Sequence, residues 1–369
     1  MRILYDHQIF LNQQFGGINR YFNEIMKINE KAEYEVSNID YKLFTKERES
    51  VRNKFNLLSR SSKFFKGKGS REGDLVRQSI FPTEVSDIFS GNNFDIFHPT
   101  YYDPYFLKLT NKPYVLTVHD MIHELYKEYL LNDSASHNKF LLCQKANQII
   151  AVSENTKKDL IGIFNILPTK ISVIPLASDF DTIIPQKPLN IIGKEKFILY
   201  VGKRALYKNF YFPMIALTKI LKADPELKVL CTGSGFSTAE IQFFEELDIK
   251  NQVYHIYLNN DNELAWIYRN AALFIFPSLY EGFGLPILEA FATDCPVISS
   301  SGGSLPEVAG DAVIYFDPKS IEEIQRAASS VLYNSELKNK LIQKGRERFK
   351  LFSWDRCRKE TIKVYDKVL

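Results

Sequence analysis

Short apolar runs, each closed by glycine, proline or a capping residue, recur along the chain and alternate with stretches of helical period. In the first half, Ile3-Leu4-Tyr5 and residues 93–98, 114–118, 148–152 and 171–176 read as strands. Between the first two, Ile18, Tyr21, Phe22, Ile25 and Met26 recur at helical spacing. In the second half, residues 196–201, 228–232, 253–258, 271–276 and 296–300 read as strands. The segments between them are amphipathic, and residues 261–269 form a helix with an acidic first turn. Such alternation predicts an α/β protein with a doubly wound parallel sheet in each half. A Pro-containing linker near residues 181–195 divides the halves.

The second half carries the stretch around which the rest is organised. After the apolar run at 271–276 come Pro277-Ser278, then Glu281-Gly282-Phe283-Gly284-Leu285-Pro286-Ile287-Leu288-Glu289-Ala290. Two glycines free the backbone to turn and approach a ligand, and Pro286 suits a first helical turn. This is a strand–loop–helix unit, whose helix N-terminus attracts phosphate. Glu281 on the loop and Glu289 about a turn into the helix bracket the crevice. Carboxylates accept hydrogen bonds, which suits the hydroxyl face of a sugar or ribose. Capping and solubilising the helix is the plain alternative for both.

Other glycine loops and basic residues fall at strand ends. Gly16-Gly17 stands between the first strand and the first helix, with Arg20 beyond. Gly202 ends the strand at 196–201 and is followed by Arg204 and Lys208. Arg204 suits bidentate contact with phosphate, and Lys208 supplies a point charge. His98 and His119 both stand at carboxyl ends of strands, where open α/β sheets place ligands. Asp120 follows His119 and is placed to orient its ring.

The Glu281-to-Glu289 segment resembles the donor-site signature of the retaining glycosyltransferases of family 4, which have the GT-B fold. The resemblance extends to Gly16-Gly17, to the Gly202, Arg204, Lys208-Asn209 element and to the His119-Asp120 strand end. It implies two Rossmann-like domains facing a central cleft. These are an acceptor-binding domain at 1–180 and a donor-binding domain at 192–354, with a final helix, about 355–369, crossing back onto the first.

The resemblance also implies roles. Glu281 binds hydroxyls of the transferred sugar, Glu289 holds the ribose, and the amides around Phe283, Gly284 and Leu285 face sugar and phosphate. Arg204 and Lys208 stabilise the departing diphosphate, a task some enzymes give to Mg²⁺. Gly16 and Gly17 close over the donor phosphate, and His119 lies near the reaction centre. Arg20, His98 and Asp120 are the acceptor-side candidates.

The implied activity is metal-independent, retaining transfer of a hexose from a nucleotide-diphosphate sugar to a glycan or lipid-linked glycan in surface polysaccharide synthesis such as lipopolysaccharide or capsule. Residues 118–120 favour a mannose-type donor, GDP-mannose first. The alternatives are a UDP- or dTDP-sugar donor, or a non-catalytic nucleotide-sugar or glycan-binding protein.

Composition trims the remaining possibilities. The chain has 369 residues, 45% hydrophobic and 25% charged, the make-up of a globular protein too long for one ordinary core. A net charge of +3 and the lack of a binding motif argue against nucleic acid. Cys143, Cys231, Cys295 and Cys357 show no metal spacing and read as reduced thiols of a cytoplasmic protein. No run reaches membrane-spanning length, and the first residues do not form a signal peptide. Asp179-Phe180-Asp181 has the form of a metal-binding pair but falls beside the linker, so no metal and no cofactor are expected. Residues 46–80 hold ten Lys or Arg and four acidic residues, interleaved with Phe55, Phe64 and Phe65. This stretch reads either as a solvated insertion or as peripheral contact with the inner face of an anionic membrane.

Overall fold

The computed structural model describes residues 1–12, 16–30, 35–38, 83–127, 135–189, 191, 196–204 and 206–369. They form two compact units. One comprises Met1–Thr117, Ser134–Ile149 and Ile362–Leu369, the other Val118–Asp133 and Ile150–Thr361.

In the first unit, β1 (Arg2–Tyr5), β2 (Glu35–Asn38) and β3 (Ile96–His98) form a parallel sheet in the order β2-β1-β3. Tyr5 stands opposite His98, and Phe97 makes a parallel bridge to Tyr114. Ile3-Leu4-Tyr5 of β1 and Ile96-Phe97-His98 of β3 are all buried, so these two strands show no period-two alternation. Helix α1 (Gly17–Met26) buries Tyr21, Phe22 and Ile25. Aromatic rings fill this core edge to face, with Phe22 against Tyr5 and Tyr21, and Phe89 against Phe94 and Phe97. A buried hydrogen-bond chain threads them. The Tyr365 hydroxyl meets Tyr5 Oη at 2.6 Å and His98 Nδ1 at 2.7 Å. His98 Nε2 meets Thr117 Oγ1 at 2.9 Å, and Tyr21 Oη joins the same hydroxyl at 3.0 Å. Through Tyr365 the last residues of the chain join this unit.

Strands β4 (Val115–Val118), β5 (Gln148–Ala151) and β6 (Ile171–Val173) form a sheet in the order β4-β5-β6.

The second unit is built on a six-stranded sheet. Its strands are β7 (Phe197–Tyr200), β8 (Lys228–Cys231), β9 (Val253–His255), β10 (Leu273–Phe276), β11 (Val297–Ser300) and β12 (Ile314–Phe316). They lie parallel in the order β12-β11-β10-β7-β8-β9. The chain runs outward from β7 to β9, then starts again on the other side of β7 with β10. Neighbours β7 and β10 therefore send their connections in opposite directions. That is a topological switch point, and the crevice outside their carboxyl ends is where such sheets take ligands.

The helices of this unit include α2 (Glu154–Phe164), α3 (Tyr211–Ala223), α4 (Thr238–Glu246), α5 (Asp261–Asn270), α6 (Leu285–Ala292) and α7 (Leu305–Ala309). Ser153, Ser237 and Asn260 start α2, α4 and α5 by accepting backbone N–H bonds, the side-chain capping their sequence implies. Met214, Leu217 and Leu221 of α3 pack with Val229, Ile275 and Ile298 of the sheet in one apolar core.

Residues 150–180 gather with this unit. Glu307 on α7 accepts the N–H groups of Glu154 and Asn155 at 2.8 and 2.7 Å, capping α2 from outside. The Tyr280 hydroxyl donates to Asp159 at 2.6 Å. Residues 179–182 form a turn in which Thr182 N–H returns to the Asp179 carbonyl. All four cysteines are buried. Among the described residues no helix is long and apolar enough to cross a membrane. The basic stretch 46–80 lies outside the described residues.

Candidate active site

The crevice at the switch point is lined by two loops, one after β7 and one after β10. After β7, Arg204 and a single turn of tight helix, Leu206–Lys208, lead into α3. The Tyr200 hydroxyl donates to the Lys203 carbonyl at 3.3 Å. Asn209 adopts a φ of 54° and donates its amide to the Pro277 and Pro318 carbonyls at 3.2 and 2.7 Å. Leu279 N–H bonds the Tyr207 carbonyl at 2.8 Å, tying the two loops together.

Across this seam Lys208 Nζ donates to Glu281 Oε1 at 2.6 Å. The two side chains are 21% and 11% exposed, so the pair is largely screened from water. Burial works against the Lys208 ammonium, but the charges of Glu281, Tyr207 and Asp120 outweigh it and hold its pKa above the ordinary lysine value. Burial raises the Tyr207 hydroxyl, with Lys208 pulling the other way. The Asp120 charge reaches both groups, so Asp120 belongs to the electrostatics of this crevice. Its carboxylate also accepts Ile122 N–H at 3.0 Å.

The backbone of the Glu281 loop is fixed on two sides. The Glu281 carbonyl accepts both Ser304 N–H (3.1 Å) and Ser304 Oγ (3.0 Å), and the same hydroxyl lies 2.9 Å from the Phe283 carbonyl. On the other side, Gly282 packs directly on the strand end after β4. A β-carbon there would stand 1.7 Å from the His119 carbonyl oxygen and 2.8 Å from Asp120 Cβ. Only glycine permits this approach, and it brings His119 and Asp120 beside Glu281.

Gly284 then takes a φ of 107°, which turns the chain into α6. The side chains of Phe283 and Leu285 point inward, and the Phe283 ring stands edge to face with Phe352. What this turn offers a ligand is therefore backbone N–H at a helix N-terminus. Glu289 follows one turn along α6, buried, and accepts the Tyr268 hydroxyl of α5 at 3.0 Å.

Arg204 turns the other way along the rim, into Glu240 of α4, with Nε 2.5 Å from Oε1. His119, Asp120, Arg204, Lys208, Glu281, Phe283, Gly284, Leu285 and Glu289 thus all belong to the second unit. Gly16, Gly17, Arg20 and His98 belong to the first. There Gly16 and Gly17 are exposed, and the Gly16 carbonyl accepts Arg20 N–H at 3.0 Å as α1 begins. His98 is fully buried, its ring nitrogens facing Tyr365 and Thr117.

Some of this machinery has no local sequence signal. Ser304, Tyr268 and Glu240 act on the site from segments whose own patterns read as loop, amphipathic helix and helix cap. Asn209 has one, since Asn tolerates positive φ and follows directly on Lys208.

The arrangement is that of a site for an anionic, hydroxyl-rich ligand. It combines a cation and a helix N-terminus, which suit phosphate, with two carboxylates, which suit hydroxyls. Residues 15–181 match the family model described as Glycosyltransferase Family 4, and residues 182–348 match that described as Glycosyl transferases group 1. O-antigen chain mannosyltransferase B of Escherichia coli is 29% identical over 286 residues, spanning 73% of this chain and 74% of that protein. An uncharacterised glycosyltransferase of Methanocaldococcus jannaschii is 28% identical over 269 residues, 69% of each chain. Among solved structures, sucrose-phosphate synthase of Thermosynechococcus elongatus superposes with a TM-score of 0.74 at 18% identity, covering 100% of this chain and 99% of that one. The Anabaena protein HepE in complex with UDP and glucose gives 0.71 at 15% identity, covering 99% of both. The two family models together take in residues 15–348, the solved relatives share the GT-B fold, and this chain belongs to the family 4 glycosyltransferases.

Proposed function

We propose that the protein transfers a hexose, of mannose type, from a nucleotide-diphosphate sugar to a glycan or lipid-linked glycan acceptor, with retention and without a metal ion. The observation that carries this is the meeting of Lys208 and Glu281 at the switch point, with Glu289 one turn along α6. The donor diphosphate takes Lys208 and the N–H groups at the start of α6. Glu281 is then released to hydroxyls of the sugar, and Glu289 receives those of the ribose.

In the transfer, the bond between the anomeric carbon and the phosphate oxygen breaks while the acceptor oxygen attacks from the same face. The acceptor proton passes to the departing phosphate. Lys208 and Arg204 stabilise the charge that develops there. Glu281 positions the sugar, and His119, held beside it through Gly282, lies near the reacting centre. Gly16 and Gly17 close on the donor phosphate, and Arg20 and Asp120 serve the acceptor side; His98, expected there from sequence, is instead fully buried with both ring nitrogens bonded to Tyr365 and Thr117.

The mannose preference draws support from relatives named as mannosyltransferases, in Escherichia coli and in Salmonella typhimurium. O-antigen chains are surface glycans, which supports a role in surface polysaccharide synthesis at the cytoplasmic face, with the basic stretch 46–80 touching the membrane surface. A second reading, a UDP-sugar donor, draws on the neighbour seen with UDP and glucose.

The test is to incubate the protein in chelator with GDP-mannose, UDP-glucose and a dTDP-hexose and follow each by proton NMR. Turnover of GDP-mannose alone, releasing or transferring the sugar first as the anomer present in the donor, is expected. First appearance of the opposite anomer, or turnover only on adding Mg²⁺, would contradict it.

A further inference from the structure

Arg204 leaves β7 on the loop that ends in Lys208, yet its guanidinium is anchored on α4. Nε donates to Glu240 Oε1 at 2.5 Å, and Nη2 donates to the Gly235 carbonyl at 2.7 Å, with Glu240 Oε2 at 3.4 Å. The rings of Phe236 and Phe210 lie 5.0 and 5.6 Å from the guanidinium carbon. These contacts fix both the plane of the group and its rotation in that plane. The Arg204 and Glu240 side chains are 5% and 8% exposed. Nη1 remains, buried and with no hydrogen-bond partner among the described residues. A buried donor left open calls for an explanation, and a ligand oxygen would complete this one.

Glu240 is itself held rigidly. It is the N3 residue of a capping box, accepting Ser237 N–H at 2.7 Å while its own N–H donates to Ser237 Oγ at 3.2 Å. Arg204 and its partner Gly235 stand on the loops that follow the neighbouring strands β7 and β8, so the guanidinium lies at the carboxyl ends of these strands, beside the crevice.

We propose that Glu240 is a positioning residue, holding Arg204 so that Nη1 presents its N–H bonds to an oxygen of the donor diphosphate. The proposal rests on the reading above that Arg204 contacts that diphosphate. Glu240 also balances the buried guanidinium before the donor arrives. A guanidinium released from Glu240 would keep its charge but lose its fixed orientation, and diphosphate binding would have to restore it.

The test measures affinity of the full chain for a nucleoside diphosphate by calorimetry, using whichever of GDP, UDP and dTDP the wild type binds most tightly. The matching nucleoside serves as control. Glu240→Gln is expected to weaken the diphosphate at least tenfold and leave the nucleoside within twofold. Arg204→Ala should weaken the diphosphate at least as much, and the double variant should match Arg204→Ala within twofold. Ser237→Ala removes the cap while keeping the Arg204–Glu240 pair, so it should lower the melting temperature but not the affinity. Should Glu240→Gln fail to fold, Glu240→Asp takes its place, with an intermediate loss expected. Wild-type affinity in the Glu240 variant beside lost affinity in Arg204→Ala would overturn the role of Glu240 alone. Equal loss in Ser237→Ala and Glu240→Gln would also overturn it, by assigning the effect to the helix end. Unchanged affinity in Arg204→Ala would overturn the assignment of Arg204 to the diphosphate, and the proposal with it.

Discussion

Lys208 Nζ lies 2.6 Å from Glu281 Oε1, joining the loop after β7 to the loop after β10 at the point where the sheet reverses its winding. Before the donor arrives, each group satisfies the other's charge. Under the proposed function, a donor diphosphate gives Lys208 a stronger anionic partner and frees Glu281 for sugar hydroxyls, which would couple phosphate binding to sugar binding through this one ion pair.

Removing the cation should affect stability and chemistry together. In Lys208→Met, Glu281 keeps its charge in a largely screened site with no partner, at a cost of about 1–3 kcal/mol. Loss of a charge that stabilises the leaving group should lower kcat/KM for the donor about 10²–10³-fold. Urea unfolding and donor-hydrolysis kinetics on the same preparation check both. A Lys208→Met protein with normal kcat/KM would place the diphosphate elsewhere.

Gly282 should not accept even a methyl group. In Gly282→Ala the new β-carbon falls on the His119 carbonyl, with backbone on both sides and no flexible side chain to yield. The loops must part, at a cost of about 3 kcal/mol. Displacement of Glu281 from His119 should also lower kcat by roughly a hundredfold, since misplacement of about 1 Å has such effects. A melting curve and kcat within twofold of wild type would refute the close packing of these two segments.

Glu289 and Tyr268 form the neighbouring pair. Tyr268→Phe removes one hydrogen bond to the carboxylate and should cost about 1 kcal/mol of stability with nucleotide affinity little changed. Glu289→Gln keeps the size of the side chain but loses the charged acceptor, and should weaken nucleotide binding about tenfold. Calorimetry that ranks the two variants in the opposite order would show that Tyr268, not Glu289, faces the ribose.

The two ion pairs respond to opposite ends of the pH scale. Burial pushes the Glu240 carboxyl up, but the hydrogen bonds from Arg204 and Ser237 outweigh it and hold its pKa below the ordinary value of 4.5. Its contribution to stability is therefore complete above pH 4.5 and is lost as the pH falls through the lower folded-state value. Lys208 is raised, so its contribution is complete below the ordinary lysine value of 10.5 and is lost as the pH rises through the higher one. The melting-temperature difference between wild type and Glu240→Gln should accordingly vanish on acidification, while that for Lys208→Met should shrink as the pH rises above 10.5. A Glu240 difference that grows in acid would reverse the assigned shift.

Capping Glu307 reaches across from α7 to the first turn of α2. Glu307→Ala should cost about 1 kcal/mol, the usual value of a lost helix cap, and raise amide exchange at Glu154 and Asn155 first. Unchanged exchange at those two amides would contradict the contact.

Much of this architecture was legible in sequence because its signals are local. Buried parallel strands appear as short apolar runs, and Glu281, Gly284, Pro286 and Glu289 announce a loop, a turn and a helix within nine residues. The pairings that make the site are not local. Lys208 and Glu281 stand 73 positions apart, and they meet only because β7 and β10 are neighbours in the sheet. Arg204 reads from its position as a phosphate ligand, but its bond to Glu240 depends on where α4 packs. The Ser237–Glu240 capping box was visible in principle, although nothing in it points to an arginine. His98 shows the same limit, since its buried partner Tyr365 arrives from the end of the chain.

Thermal stabilisation by nucleoside diphosphates in chelator tests the donor site as a whole. It compares wild type with Lys208→Met and Glu289→Gln across GDP, UDP and dTDP. A clear rise in melting temperature with one nucleotide, lost in both variants, is the result predicted. No rise with any nucleotide, or a rise that both variants keep, would contradict a donor site built on Lys208, Glu281 and Glu289.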